Sequence, residues 1–214
     1  MPKGEDMRKK AVTIVRDPAL IKILSDLVRR EILRLLSAKP QTSTRLAERL
    51  KLSKTSTGYH LQKLLEAGFV KVSFTKVDPH GILEKYYEPT STLFIEDFDS
   101  IPLENRRYFV HGHIERLRGM ISAFRILGGE DYKIGEIDPE EITELAQEMA
   151  RRMARIGERL ADHERGVKRE NLIIEIYSET LKSVISEERW RRFFPTQPKY
   201  ATDLNKLKGA DKDA

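Results

Sequence analysis

The residues best suited to chemistry in this sequence lie within one ten-residue stretch: Lys54, Thr55, Ser56, Gly58, Tyr59, Gln62 and Lys63. Thr57, Leu61 and Leu64 recur there at i, i+4 and i+7, with Leu65 beside them, which marks one side of a helix as packed. The opposite side carries Thr55, Tyr59 and Gln62, flanked by Lys54, Ser56, Gly58 and Lys63. A glutamine amide can pair bidentately with adenine, hydroxyls bond bases or phosphates, and lysine binds phosphate or guanine, while a glycine leaves room for close approach. An ordinary solvated helix face has the same polar character, so the flanking elements must decide between the two.

Those elements are legible from their punctuation. Asp17-Pro18 opens a helix carrying Ile21, Leu24, Leu27 and Val28; Ser25-Asp26 caps the next, with Ile32, Leu33, Leu35 and Leu36 on its buried face and Arg29, Arg30 and Arg34 outside. Lys39-Pro40 ends it. Thr42-Ser43 caps a short helix through Leu50, with Leu46 and Ala47 on its apolar edge. Lys51-Leu52-Ser53 then makes a tight turn, and Ser53 caps a helix from Lys54 to Ala67 that stops at Gly68. Two short helices around such a turn form a helix-turn-helix.

Residues 69–77 are rich in β-branched and aromatic types, Asp78-Pro79-His80-Gly81 is a turn, and residues 82–88 read as the returning strand. A β-hairpin therefore follows the helix directly, and Lys71, Lys76, His80 and Lys85 could bring its tip and edges to a phosphate backbone. His80 is also an ordinary solvated turn residue on this reading.

In order and spacing, Leu24-Ser25-Asp26, Arg29–Leu36, Leu52–Leu64 and Glu66–Val70 resemble the arsenical-resistance-repressor (ArsR) type of winged-helix regulator, and in particular archaeal members without metal-binding cysteines. The resemblance covers roughly residues 20 to 90. It implies a dimeric, double-stranded-DNA-binding repressor with Lys54–Ala67 as recognition helix and Val70–Glu88 as wing. Leu27-Val28 stand where the family often has Pro-Thr, and Tyr59 stands where a basic or small polar residue is usual, so the target sequence does not carry over. His60 matches a common family histidine near the packed side and reads as structural. Cysteine is absent, which rules out disulfides, thiolate metal sites and the founding members' metalloid response.

Charge is divided unevenly. Residues 1–90 hold 18 Lys/Arg against 10 Asp/Glu, net +8, leaving net −3 for residues 91–214. The basic end should face a polyanion, because neutralising phosphates and releasing their counterions supplies much of nucleic-acid affinity. The first ten residues lack an apolar run, so no secretory signal is expected and cytoplasm is the default location. No stretch is apolar enough for a membrane span. Only three Asn and four Gln in 214 residues, with abundant Lys, Arg and Glu, lean toward a heat-adapted source.

Residues 91–103 read as a linker or strand-like connection with acidic Glu96, Asp97 and Asp99. A helix from Glu104 to Leu127 carries the heptad seam Val110, Ile114, Leu117, Ile121 and Phe124 and stops at Gly128-Gly129. Asp138-Pro139 starts a second, with Ile142, Leu145, Met149, Met153, Ile156 and Leu160 inward and Arg151, Arg152, Arg155 and Arg159 expected as a surface paired with Glu144, Glu148 and Glu158. A third spans about Asn171 to Ile185, Trp190, Phe193 and Phe194 form an aromatic cluster before Pro195, and residues 196–214 read as a flexible tail. The aromatic cluster packs a terminal helix or, alternatively, lines an effector site. The three helices can bury their seams in one chain or share them across a two-fold axis. The need for two recognition helices one DNA turn apart favours the dimer.

His111-Gly112-His113 and Asp162-His163-Glu164 are the clusters nearest to a metal site. On a helix, neighbours at i+1 and i+2 diverge too far to chelate one ion. No phosphate-binding glycine loop, nucleophile elbow or zinc-protease helix is present. The expectation is therefore a mainly α protein with a small β-hairpin: a winged helix-turn-helix at 11–90, a linker at 91–103, a helical dimerisation or effector domain at 104–195 and a tail. It should act as a homodimer on double-stranded DNA, with no enzyme activity and no cofactor. A winged helix that docks protein or RNA is the alternative.

Overall fold

Each of the first four helices begins at a side chain that replaces a missing backbone partner. In the computed structural model, which describes residues 10–128, 137–162 and 167–194, Asp17 accepts from the Ala19 N–H at 2.8 Å and opens α1 (Pro18–Leu24). Asp26 accepts from Arg29 N–H at 2.9 Å and opens α2 (Leu27–Ala38), which ends where Lys39 turns extended ahead of Pro40. Thr42 caps α3 (Ser43–Leu50) through Arg45 N–H, and Ser53 caps α4 (Lys54–Glu66) through Ser56 N–H at 3.0 Å. Between α3 and α4, Lys51 takes the left-handed conformation, φ 55°, and its N–H returns to Ala47 and Glu48 carbonyls. Gly68, φ 73°, turns the chain out of α4, so Phe69 N–H reaches the Leu64 carbonyl and the chain enters the hairpin.

The hairpin pairs β2 (Val70–Val77) with β3 (Leu83–Pro89) antiparallel, with a bulge between Val72 and Phe74. Gln41 fastens it to the helices. Its backbone exchanges both hydrogen bonds with Tyr87, and its buried amide donates to the Leu35 carbonyl at 2.8 Å. Gln41 thereby ties the end of α2 to the base of the hairpin, and its amide is satisfied in a place where an unpaired one would be costly.

A second small sheet joins the two ends of this unit. β1 (Lys10–Val15) runs parallel to β4 (Ser91–Glu96), with Val12 opposite Leu93 and Ile14 opposite Ile95. The stretch 91–103, expected as a linker or strand-like connection, is thus β4 and a 3-10 turn at Phe98–Ser100. The sheet lies against α6 (Pro139–Arg159) at Gly157, where an added Cβ would stand 2.8 Å from Ile95 Cδ1 and 3.2 Å from both Ile14 Cδ1 and Val12 Cγ1. Absence of a side chain is what lets the sheet approach the helix so closely.

α5 (Leu103–Gly128), α6 and α7 (Arg169–Ile185) pack beside one another, and α8 (Glu188–Arg191) folds Trp190, Phe193 and Phe194 into the core. The α5 seam meets its partners within one chain: Val110, Leu117 and Ile121 are buried in the same cluster as Ile142, Leu145 and Met149. Two expectations need correcting. Arg152 is buried, not on the surface; Nε donates to Glu148 at 2.7 Å, Nη1 to Ser183 Oγ at 2.8 Å, and Nη2 to Glu187. Glu148 pairs with this arginine cluster as expected, but Glu144 pairs with Arg189 and Glu158 with Arg16. Gly129, Pro195 and the tail lie outside the described residues.

Candidate nucleic-acid interface

α4 is held by one face and offers the other. Thr57, Leu61 and Leu64 are buried beneath it, whereas Lys54, Thr55, Tyr59 and Gln62 are exposed and Ser56, Gly58 and Lys63 half-buried. Tyr59 is the most prominent of these at 60 % exposure, its ring edge-on to His60 at 5.5 Å. An added Cβ at Gly58 would meet nothing within 4 Å. No packing need within the chain therefore calls for a glycine there.

Two of the expected reading residues are not idle. Gln62 Nε2 donates to Glu66 Oε1 at 3.2 Å and Lys63 Nζ to Glu66 Oε2 at 3.0 Å. The hydrogen bond to Glu66 raises the Lys63 pKa, and the bonds from Lys63 and then Gln62 lower that of Glu66. Sequence reasoning passed over Glu66, although its i+3 and i+4 spacing from Lys63 and Gln62 was the signal.

The hairpin continues the same surface. Lys76 and Lys85 are exposed near its end, where Thr75 faces Lys85 and Lys76 faces Glu84. Lys71 is half-buried, its Nζ 3.6 Å from Glu88 Oε1. The His80 backbone N–H donates to Asp78 Oδ1 at 2.9 Å, which also accepts from Ile82 N–H at 2.8 Å, and Gly81 takes φ 81°. This ladder fixes the turn and leaves the His80 side chain exposed. The hairpin also presents Val72, Phe74, Val77, Ile82 and Leu83 to solvent, with Phe74 stacked on Tyr86 at 4.5 Å. Arg45 on α3, another residue absent from the sequence-based set, lies over the Tyr86 ring at 5.9 Å and adds a cation between α3 and the hairpin.

His60 bridges α4 and α2: its Nδ1 is 3.6 Å from the Asp26 cap, longer than a hydrogen bond. Among the described residues no three His, Asp or Glu side chains converge as a metal site; His163 and Glu164 lie outside those residues. Burial first, then Arg116 and Arg30, push the His113 pKa down to about 4, and its ring rests on Phe109 at 4.7 Å.

Taken together, the site is a capped helix with a polar outer face, a preceding helix packed against it, and a hairpin at its end that carries Lys71, Lys76 and Lys85 beside Asp78, Glu84 and Glu88. Hydroxyl, amide and ammonium groups thus line the outer face of α4, and ammonium groups the hairpin; groups of these kinds can bond base edges and phosphates. Residues 24–73, from the end of α1 into β2, match a family of helix-turn-helix domains. No curated protein matches the chain. Among the described residues no helix is long and apolar enough to cross a membrane.

Proposed function

We propose that this protein is a transcriptional regulator that binds double-stranded DNA sequence-specifically, with α4 in the major groove and the β2–β3 hairpin on the flanking backbone. The observation that carries the reading is the exposed Lys54, Thr55, Tyr59 and Gln62 face on the second helix of a helix-turn-helix. The net +8 of residues 1–90 supports it. The protein acts as a repressor and homodimer on a pseudo-palindromic operator, since a lone recognition helix reads too few base pairs for specificity. The α5 seam is buried within the chain, so the dimer contact falls on what α5 and α7 leave outside, where Leu103, Tyr108, Ile126 and Ile174 are exposed.

Selection from a random duplex pool at moderate salt tests this. The reading predicts an enriched, two-fold-related motif; a pool that stays random removes it. The apolar hairpin surface of Val72, Phe74, Val77, Ile82 and Leu83 favours the second reading, a winged helix that docks a protein. That reading predicts a random pool together with partner capture that is lost on Phe74→Ser.

A further inference from the structure

A cavity of about 730 Å³ opens where the helix-turn-helix meets the helical half. Its wall is built by α1 and its end, α2 at Arg30, β4 at Leu93–Glu96, α5 at Phe109, Gly112 and Arg116, α6 at Met153, and α7 at Arg169 and Ile173. The size falls within the usual range for small-molecule sites.

Its charge is unbalanced. Glu96 is the one carboxylate in the wall, and it is already paired with Arg30. Arg116 and Arg169 make no hydrogen bond or ion pair with any described residue. Arg169 is half-buried; desolvation lowers its pKa, Glu170 opposes the shift and Arg34 adds to it. A guanidinium partly withdrawn from water, with no acceptor among the described residues, gains from a partner, and a ligand carboxylate would supply one. The apolar part of the wall includes Leu93, Phe94, Phe109, Met153 and Ile173, which suit a hydrocarbon body.

We infer that this cavity is a binding site for an amphipathic organic acid, its carboxylate on Arg169 and its apolar body along β4 and α7. Arg30 gives it a route to the DNA-reading unit. Arg30 Nε donates to the Leu24 carbonyl at the end of α1 while its other end holds Glu96, and Arg30, Glu96 and Arg169 share the cavity wall, so an acid whose carboxylate on Arg169 also reaches Arg30 competes with Glu96 for the side chain that joins α1 and α2 to β4. This regulatory half rests on the DNA-binding reading; the binding half does not.

Calorimetry of the full chain with decanoate is the test. A saturable one-to-one isotherm is expected, with affinity lowered roughly tenfold or more by Arg169→Gln and lowered likewise when 1-decanol replaces decanoate. Gly112→Met, at a wall position where an added Cβ meets nothing within 4 Å, should fill the cavity and abolish binding with the unfolding temperature unchanged or raised. No saturable isotherm, equal binding of decanol, or binding indifferent to both substitutions overturns the site. With decanoate saturating, affinity for a selected duplex should change about fivefold or more in the natural sequence but not in Gly112→Met. Unchanged affinity beside an intact isotherm overturns the regulatory half alone, and absence of any selected duplex overturns the DNA-binding reading instead.

Discussion

Gln62 and Glu66 are joined across one turn of α4, Nε2 to Oε1 at 3.2 Å, and Lys63 closes on the other carboxylate oxygen. An amide that reads a base must first leave that bond, and a carboxylate on a DNA-facing helix repels phosphate. Glu66→Gln should therefore tighten binding to all duplexes several-fold, by about one unit of charge in the salt dependence, with Tm nearly unchanged because surface pairs of this kind contribute little. Fluorescence anisotropy across a salt series checks it; unaltered affinity would mean that α4 does not approach the phosphates.

Base readers and backbone binders separate by what they do to specificity. Tyr59→Ala and Gln62→Ala should weaken binding to a selected site by about 1–3 kcal/mol and leave random duplex nearly unaffected. Lys76→Ala should weaken both alike and reduce the salt slope by roughly 0.9. Lys71→Ala should do less, since its ammonium already faces Glu88. Competition assays with selected and scrambled duplexes distinguish the two classes.

Arg152 joins three elements by donating to Glu148 on its own helix, Ser183 on α7 and Glu187 before α8. Arg152→Ala should cost about 2–4 kcal/mol, below the full value for a buried pair because Glu187 can turn to water. Arg152→Met, which keeps the apolar stem, should cost about half as much. Urea unfolding gives both values; equal costs would assign the effect to the lost hydrogen bonds and ion pairs alone.

Half-buried His113 should make stability fall with acid. Its folded pKa of about 4 lies below the ordinary value near 6.5, so the unfolded chain takes up the proton first. The contribution is complete above about pH 6.5, declines as pH falls toward about 4, and amounts to at most about 3 kcal/mol. Urea midpoints at about pH 7 and pH 5 for the natural sequence and for His113→Leu provide the comparison. The leucine variant should lose this part of the pH dependence, and identical slopes would place His113 in contact with solvent.

Much of the reading unit was legible because its determinants are local. Asp17, Asp26, Thr42 and Ser53 each act on a backbone N–H two or three residues away, and Gly68 acts at its own φ. The Thr57, Leu61 and Leu64 stripe fixes which side of α4 is left outward. Such signals survive in a one-dimensional string because cause and effect lie within a helical turn.

Other features depend on partners remote in sequence. Val12 meets Leu93 and Ile14 meets Ile95 in a parallel pair that a local pattern cannot announce, and Gly157 reads as an ordinary helix glycine until that sheet lies on it. Arg152 has the same type and helix as exposed Arg155, and only the position of α7 and Glu187 makes it buried. The heptad seam of α5 was compatible with a partner chain or with α6, and packing within the chain decided for α6. The cavity at Arg169 is a property of six elements meeting imperfectly, so it belongs to no segment of the sequence. The sequence by itself determined the helix-turn-helix, its hairpin and the outward face of α4, because capping and periodicity act at short range. Tertiary structure alone decided which charges are buried and where space remains, since both depend on surfaces brought together from distant parts of the chain.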